Sequence, residues 1–225
     1  MLNPNQSVAS IVLEHSQTAP ILQRLRIDFC CRGSMSLAAA CEAAGISTEV
    51  VVSELTRAIE TVPGVDGVDP RTESTPALIA RIIATHHAYL RGALPFLRPL
   101  AAKVARTHGE HNPRLEEVSA LVAQLTQELV PHLDFEEESL FPLLMARSAD
   151  APRVARELAS MTQEHHAVGD LLQRMRAATE DFRVPEWACT SYRTLFTELE
   201  RLEGDILRHV HLENHVLAPR FALAN

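Results

Sequence analysis

Hydrophobic positions in the C-terminal two thirds of the chain recur with a helical period in four long segments. These segments cover roughly residues 76–106, 113–146, 151–179 and 185–219. Each break between them is short and ends in a proline, which suits the first turn of a following helix. Short connections make neighbouring helices antiparallel, so the pattern predicts an all-α fold built on an up-down-up-down four-helix bundle.

Shorter helical patterns precede the bundle, at residues 4–17, 34–44 and 47–61, with Ser47 as the expected N-cap of the last. The stretch that follows holds three prolines and two glycines among polar residues, which favours a linker. The predicted organisation is a small helical domain over residues 1–61, a linker over 62–76 and the bundle over 77–225.

Composition favours a helical protein, and the absence of an export or membrane pattern leads us to expect it in the cytoplasm. Of 225 residues 46% are apolar, enough for a core, while aromatic residues are only 4% and just 8 glycines are present. The first residues lack the pattern of an export signal and no apolar stretch approaches a membrane span, so we expect neither export nor membrane insertion. A net charge of -8 without a basic stripe disfavours nucleic acid as a partner.

Each of the four long segments places one histidine on its apolar face, and two of them add a glutamate four residues later. The apolar faces are defined by Ile83, Leu90, Leu94 and Leu97; by Leu125, Leu129, Leu140 and Leu143; by Leu158, Met161, Val168 and Leu172; and by Leu199, Leu202, Ile206 and Val216. The six polar residues on these faces are His87, His132, Glu136, His165, His209 and Glu213.

The two halves of the bundle repeat the same spacing. His132 follows His87 by 45 residues, and His209 follows His165 by 44. Each half therefore carries a single histidine and then a His-x-x-x-Glu pair. A repeat of this kind predicts two similar helical hairpins that present their polar residues to one shared interior.

Two buried glutamates need a positive partner, because an ionised carboxylate in a core without one costs several kcal/mol. Arg91, one turn after His87, is the basic side chain nearest this level and could satisfy one glutamate. The alternative that these are core histidines bonded to their neighbours leaves the second glutamate unexplained.

A pair of metal ions accounts for all six residues. Nitrogen and oxygen ligands without thiolate suit iron or manganese, and permit zinc. Two divalent ions exceed the charge of two glutamates, so an oxide or hydroxide bridge is favoured. Open positions on the metals indicate reaction with a small ligand such as dioxygen or nitric oxide.

The remaining histidines are expected outside this site. His86, His111, His166, His211 and His215 are predicted to be solvated, and His108 is a minor candidate because it could approach the end of the bundle. The acidic run from Asp134 to Glu138 is predicted to be a wet surface, interrupted by the inward Glu136.

These motifs together resemble the repair of iron centres family, also called iron-sulfur cluster repair proteins, which have a haemerythrin-like domain. The resemblance covers nearly the whole chain and rests on DFCCRG at Asp28, HHAYLRGALP around His87, HLDFEEESLFP from His132, QEHHAVGDLL around His165 and HVHLENHVLAPR from His209. It implies a cytoplasmic di-iron protein that repairs iron-sulfur clusters under nitrosative or oxidative stress.

The resemblance also implies roles for individual residues. The family's ligands match His87, His132, Glu136, His165, His209 and Glu213, with the two glutamates bridging two non-haem irons. The family's N-terminal domain carries paired cysteines, here Cys30 and Cys31, for which a redox or iron-transfer role stands beside a purely structural role in a tight turn. Arg32, a cation beside the pair, is expected to favour thiolate.

Three functions follow from these expectations. The first is cluster repair, by supplying iron to damaged iron-sulfur proteins as clients. The second is reduction of nitric oxide or peroxide at the di-iron centre, and the third is binding or sensing of oxygen or nitric oxide.

Overall fold

The protein is described by a computed structural model that covers residues 2–61, 69–146 and 150–221. The regular structure of these residues is helical, without a β-strand, which confirms the predicted all-α class. The chain forms two compact units, one of residues 1–78 together with 207–225 and the other of residues 79–206. Most of the predicted linker, residues 62–68, lies outside the described residues.

Residues 2–61, the described part of the N-terminal region, contain four α-helices and a short 3-10 turn at Ser16–Thr18. The α-helices are α1 (Val8–Glu14), α2 (Ala19–Arg24), α3 (Leu37–Ala44) and α4 (Thr48–Thr61). Serines begin three of them: Ser7 and Ser36 accept backbone N–H groups at the starts of α1 and α3, and Ser47 accepts that of Val50 at 3.4 Å, as predicted. The short helix α2 was not predicted, because six residues hold too little of a periodic pattern.

The remaining helices match the four predicted segments to within a few residues. They are α5 (Thr75–Ile82), α6 (Ala88–His108), α7 (Arg114–Phe135), α8 (Phe141–Met145), α9 (Ala151–Thr179) and α10 (Thr190–Leu212). Short π-helical turns at Ile83–His87 and Glu136–Leu140 join α5 to α6 and α7 to α8, and a third, Glu213–Leu217, follows α10.

Ion pairs in the second unit show that α6, α7 and α9 run antiparallel to their neighbours. Arg91 near the start of α6 contacts Asp134 near the end of α7 at 2.7 Å. Arg174 near the end of α9 lies 4.0 Å from Glu117 near the start of α7. The ends of successive helices therefore meet, which is the predicted up-and-down order.

Helix α10 contacts both α9 and α6. Arg176 of α9 makes two hydrogen bonds of 2.6 Å to the buried Glu203 of α10. His86, just before α6, lies 3.0 Å from Asp205. The predicted inner faces are buried, except that Ile83 and Leu143 are half-buried. None of the described helices has the length and apolar composition that a membrane span requires.

Candidate metal centre

His87 ends the π turn before α6 and is completely buried. Its Nδ1 lies 2.9 Å from Oε1 of Glu137, and its Nε2 lies 3.3 Å from Oε2 of Glu136. Because a carboxylate accepts the proton of Nδ1, the lone pair of the ring is on Nε2. That lone pair is directed towards Glu136.

His132, near the end of α7, repeats this arrangement. Its Nδ1 lies 2.7 Å from Oε2 of Glu164 on α9, and its Nε2 lies 3.4 Å from Oε1 of Glu136. Glu136, which is 0% exposed, thus presents one oxygen to His87 and the other to His132. Each oxygen of this carboxylate therefore faces a different histidine.

His165, in the middle of α9, joins the same cluster. Its ring centroid lies 5.1 Å from that of His132, and the planes are 70° apart. One ligand atom from each of His132, Glu136 and His165 lies within 4.8 Å of the others. The second unit therefore brings together four of the six residues that the sequence pattern selected.

In the unit formed by residues 1–78 and 207–225, His209 and Glu213 form a second His-x-x-x-Glu pair. Nε2 of His209 lies 3.1 Å from Oε1 of Glu213, and the side chains are 1% and 0% exposed. This matches the pairing of His132 with Glu136 one turn apart. The repeated spacing in the sequence corresponds to the same local geometry in both pairs.

Three of these residues lie at π turns. His87 ends one turn, while Glu136 and Glu213 each begin one and accept a hydrogen bond from the backbone N–H five residues later. A π turn inserts one residue into an α-helix and is frequent at functional sites. The hydrophobic pattern predicted continuous α-helices in these segments, because one inserted residue changes the helical period too little to be detected in the sequence.

Glu137 was predicted to be part of a wet surface; its side chain is 29% exposed and also contacts the buried His87. Burial alone would raise the pKa of Glu137, but hydrogen bonds from His87 and Arg91 outweigh it and hold this pKa below the usual value. The charge of Glu137 therefore orients His87. Arg91 pairs with Glu137 and Asp134 at the surface, so it is engaged away from Glu136.

Comparison with known proteins decides what this arrangement belongs to. Residues 78–221 match the family described as Hemerythrin HHE cation binding domain. The chain belongs to this haemerythrin-like family. Residues 4–59 match a second family, ScdA_N, described as a domain of unknown function. The family and its buried His and Glu residues together indicate that this protein binds metal.

The similar proteins align with nearly the whole chain and are named for repair. An iron-sulfur cluster repair protein ScdA from Staphylococcus haemolyticus is 30% identical over 99% of this chain and 100% of its own length. An iron-sulfur cluster repair protein YtfE from Yersinia pseudotuberculosis is 31% identical over 96% of each chain. The resemblance to the repair of iron centres family is thereby confirmed.

Two histidines predicted to be solvated are buried in this haemerythrin-like protein. His86 is 9% exposed and contacts Asp205, and His211 is 3% exposed. Nδ1 of His211 lies 3.0 Å from the carbonyl of Phe29, and burial lowers the pKa of His211 to about 4, so it is neutral at pH 7. The prediction for His211 failed because it rested on the bundle helices alone, and Phe29 is 182 residues away in the chain.

The other histidine predictions had mixed outcomes. His111 and His166 are exposed, as expected, whereas His215 is half-buried and its Nε2 lies 2.8 Å from the carbonyl of Cys30. Nε2 of His108 lies 3.1 Å from Sγ of Cys189. Among the described residues, His108 is in none of the groups that could hold a metal ion.

Cys30 and Cys31 lie in the N-terminal part of the chain, with their Sγ atoms 3.5 Å apart. The hydrogen bond with Cys31, burial and the neighbouring Asp28 all raise the pKa of Cys30 well above its usual value. Arg32 is exposed. The expectation that Arg32 favours a thiolate is therefore wrong for Cys30.

Proposed function

We propose that the protein holds two iron ions and uses them to repair iron-sulfur clusters damaged by nitrosative or oxidative stress. The observation that carries the proposal is Glu136, whose two oxygens face two different histidines inside the bundle. The names of the similar proteins, iron-sulfur cluster repair proteins, support the cellular role.

Six residues would hold the iron, and all lie inside the matched haemerythrin-like segment, residues 78–221. They are His87, His132, Glu136, His165, His209 and Glu213. Glu136 and Glu213 would bridge the two ions, with an oxide or hydroxide bridge completing the charge balance. A ligand set of imidazole and carboxylate without thiolate fits iron.

The residues around this set orient the ligands. Glu137 and Glu164 accept the Nδ1 protons of His87 and His132, which fixes both rings with Nε2 inward. The bound iron would supply the metal for clusters that have lost it. Iron-sulfur proteins of the cytoplasm are the proposed clients, and nitric oxide or dioxygen is the proposed small ligand.

The test is restoration of a damaged client. A nitrosylated iron-sulfur dehydratase is incubated anaerobically with the iron-loaded protein, and its activity and cluster spectrum are followed. We expect recovery with the wild type, little recovery with Glu136→Ala, and full recovery with Glu138→Ala, whose side chain is exposed in the same acidic run.

Free ferrous ion at the same total concentration is the second control. Recovery that is no faster with the loaded protein than with free iron contradicts the repair proposal. Equal recovery with Glu136→Ala and with the wild type contradicts the role of the metal centre.

A further inference from the structure

Three side chains of the N-terminal part form a cluster apart from the six His and Glu residues. Asp28, Cys30 and Cys31 each offer a ligand atom, and these atoms lie within 4.8 Å of one another. Sγ of Cys30 lies 3.3 Å from Oδ1 of Asp28 and 3.5 Å from Sγ of Cys31. Two thiols and a carboxylate are thus close enough together to contact one ion.

The separations are those of ligands on one face of a tetrahedron. Metal–sulfur bonds of about 2.3 Å and a metal–oxygen bond of about 2.1 Å are usual for zinc. With such bonds, the two separations measured from Cys30 correspond to angles of roughly 100° at a common ion, close to the ~109° of a tetrahedral site. One ion could therefore bind all three atoms after small side-chain movements.

The loop that carries the three residues is held in place by several contacts. Oδ1 of Asp28 accepts the backbone N–H groups of Cys30 at 3.0 Å and Cys31 at 2.8 Å. The carbonyl of Cys30 accepts hydrogen bonds from His215 at 2.8 Å and Asn214 at 3.1 Å. These bonds fix the peptide groups on either side of Cys30, so the ligand atoms are already close to their places.

Gly33 adds a steric requirement to this loop. A Cβ atom at this position would lie 2.3 Å from the carbonyl oxygen of Phe29 and 2.7 Å from Nε2 of His215. Only glycine fits such a close approach. The path of the backbone next to the cysteines is therefore set by packing rather than by the thiols themselves.

We propose that Asp28, Cys30 and Cys31 form a second metal site, which binds one thiophilic divalent cation of the zinc class. Binding of the ion releases the protons of both thiols, and the resulting thiolates select a soft or borderline ion over magnesium or calcium. Three protein ligands leave the fourth position open, as in zinc sites that exchange a ligand. Cys31 is half-buried, which gives the ion a route to solvent.

X-ray absorption at the zinc edge tests this site in the full-length, iron-loaded protein. The six proposed iron ligands include no sulfur, so sulfur neighbours of zinc cannot come from the proposed iron centre. We expect one equivalent of zinc per chain with two sulfur neighbours at about 2.3 Å. Zinc with only nitrogen and oxygen neighbours, or half an equivalent with four sulfurs from two chains, overturns the proposal.

Single cysteine variants identify which cysteines bind the zinc ion. Cys30→Ser and Cys31→Ser should each remove the two-sulfur signal, whereas Cys41→Ser and Cys189→Ser should retain it. Asp28→Asn keeps an oxygen for the backbone N–H groups but loses the charge, and we expect zinc to bind at least tenfold more weakly in competition with a chromophoric chelator. Unchanged zinc affinity in Asp28→Asn, or a signal lost in Cys189→Ser, overturns the assignment.

The iron content of each sample is measured as well, so that a change in zinc binding is distinguished from a change in iron binding. Zinc binding with two sulfurs does not depend on whether the protein repairs clusters. If the protein binds zinc normally but fails to repair the client, only the proposed function is contradicted. If it repairs the client normally but does not bind zinc, only the second metal site is contradicted.

Discussion

Glu164 on α9 fixes the orientation of His132, since its carboxylate accepts the Nδ1 proton at 2.7 Å while the ring is 5% exposed. Glu137 does the same for His87. Such outer partners set the tautomer and raise the basicity of a histidine ligand. The residues that hold the ligands are therefore as much part of the site as the ligands themselves.

Removal of Glu164 tests this role. In Glu164→Ala the ring of His132 loses its acceptor and can rotate, so we expect iron affinity to fall by about 10- to 100-fold. The measurement is iron retention against a chelator of known affinity. Glu157→Ala, two turns earlier on α9 and paired only loosely with Arg153 at 3.9 Å, serves as the control. Equal retention by both variants contradicts the role of Glu164.

At the residue scale, the sequence predicted the six candidate ligands but not the side chains that orient them. An inward glutamate on a helix can be identified from the apolar residues on its face. Glu137 lies about 100° round the helix from Glu136, and Glu164 points to α7 from a mostly polar part of α9. Their roles depend on where the neighbouring helix brings a histidine, which no local pattern contains.

At the element scale, the end of α9 is built around the ion pair between Arg176 and Glu203. The three residues that follow α9, Glu180 to Phe182, all have positive φ values between 50° and 59°, which is unusual for residues other than glycine. Arg176 contacts Asp181 at 3.2 Å and lies over the ring of Phe182 at 5.1 Å. One buried arginine thus stabilises both the helix contact and the turn.

Substitution of Arg176 should destabilise the fold strongly. Arg176→Ala leaves the carboxylate of Glu203 buried without its cation, and we expect a loss of about 3–5 kcal/mol in the free energy of unfolding. Urea titration of the iron-loaded protein measures it. The exposed Arg174, 4.0 Å from Glu117, provides the control Arg174→Ala, for which we expect less than about 1 kcal/mol.

A double substitution tests whether the lost stability comes from the unpaired charge of Glu203. Arg176→Met together with Glu203→Leu removes both charges, and we expect it to recover most of the loss. A single Arg176→Ala that costs no more than Arg174→Ala contradicts this account. The sequence pattern predicted only a break between helices in this region. It did not predict the buried ion pair, because an arginine near a helix end is usually solvated.

At the scale of the whole molecule, buried carboxylates link metal binding to stability. Glu136 and Glu213 are both 0% exposed, and a carboxylate at such a position needs a cation or a proton. The family match and the long helical segments were predictable from the sequence. Burial of His211 against Phe29 was not, since it depends on a contact between residues 182 positions apart.

Removal of iron should therefore lower the stability of the protein. A ligand at 100 times its dissociation constant stabilises the folded state by about 2.7 kcal/mol, so we expect a fall of several degrees in Tm after chelation. Ferrous ion, but not magnesium, should restore it. An unchanged Tm in the fully depleted protein contradicts the link.

Iron stoichiometry, with Mössbauer spectra of the anaerobically isolated protein, tests the central claim most directly. The account predicts two irons per chain in the wild type and in Glu138→Ala. It predicts that Glu136→Ala and Glu213→Ala each lower the occupancy of both irons, because each removes a shared ligand. Two irons retained in either glutamate variant, or a freshly isolated wild type that is fully folded without metal, would contradict it.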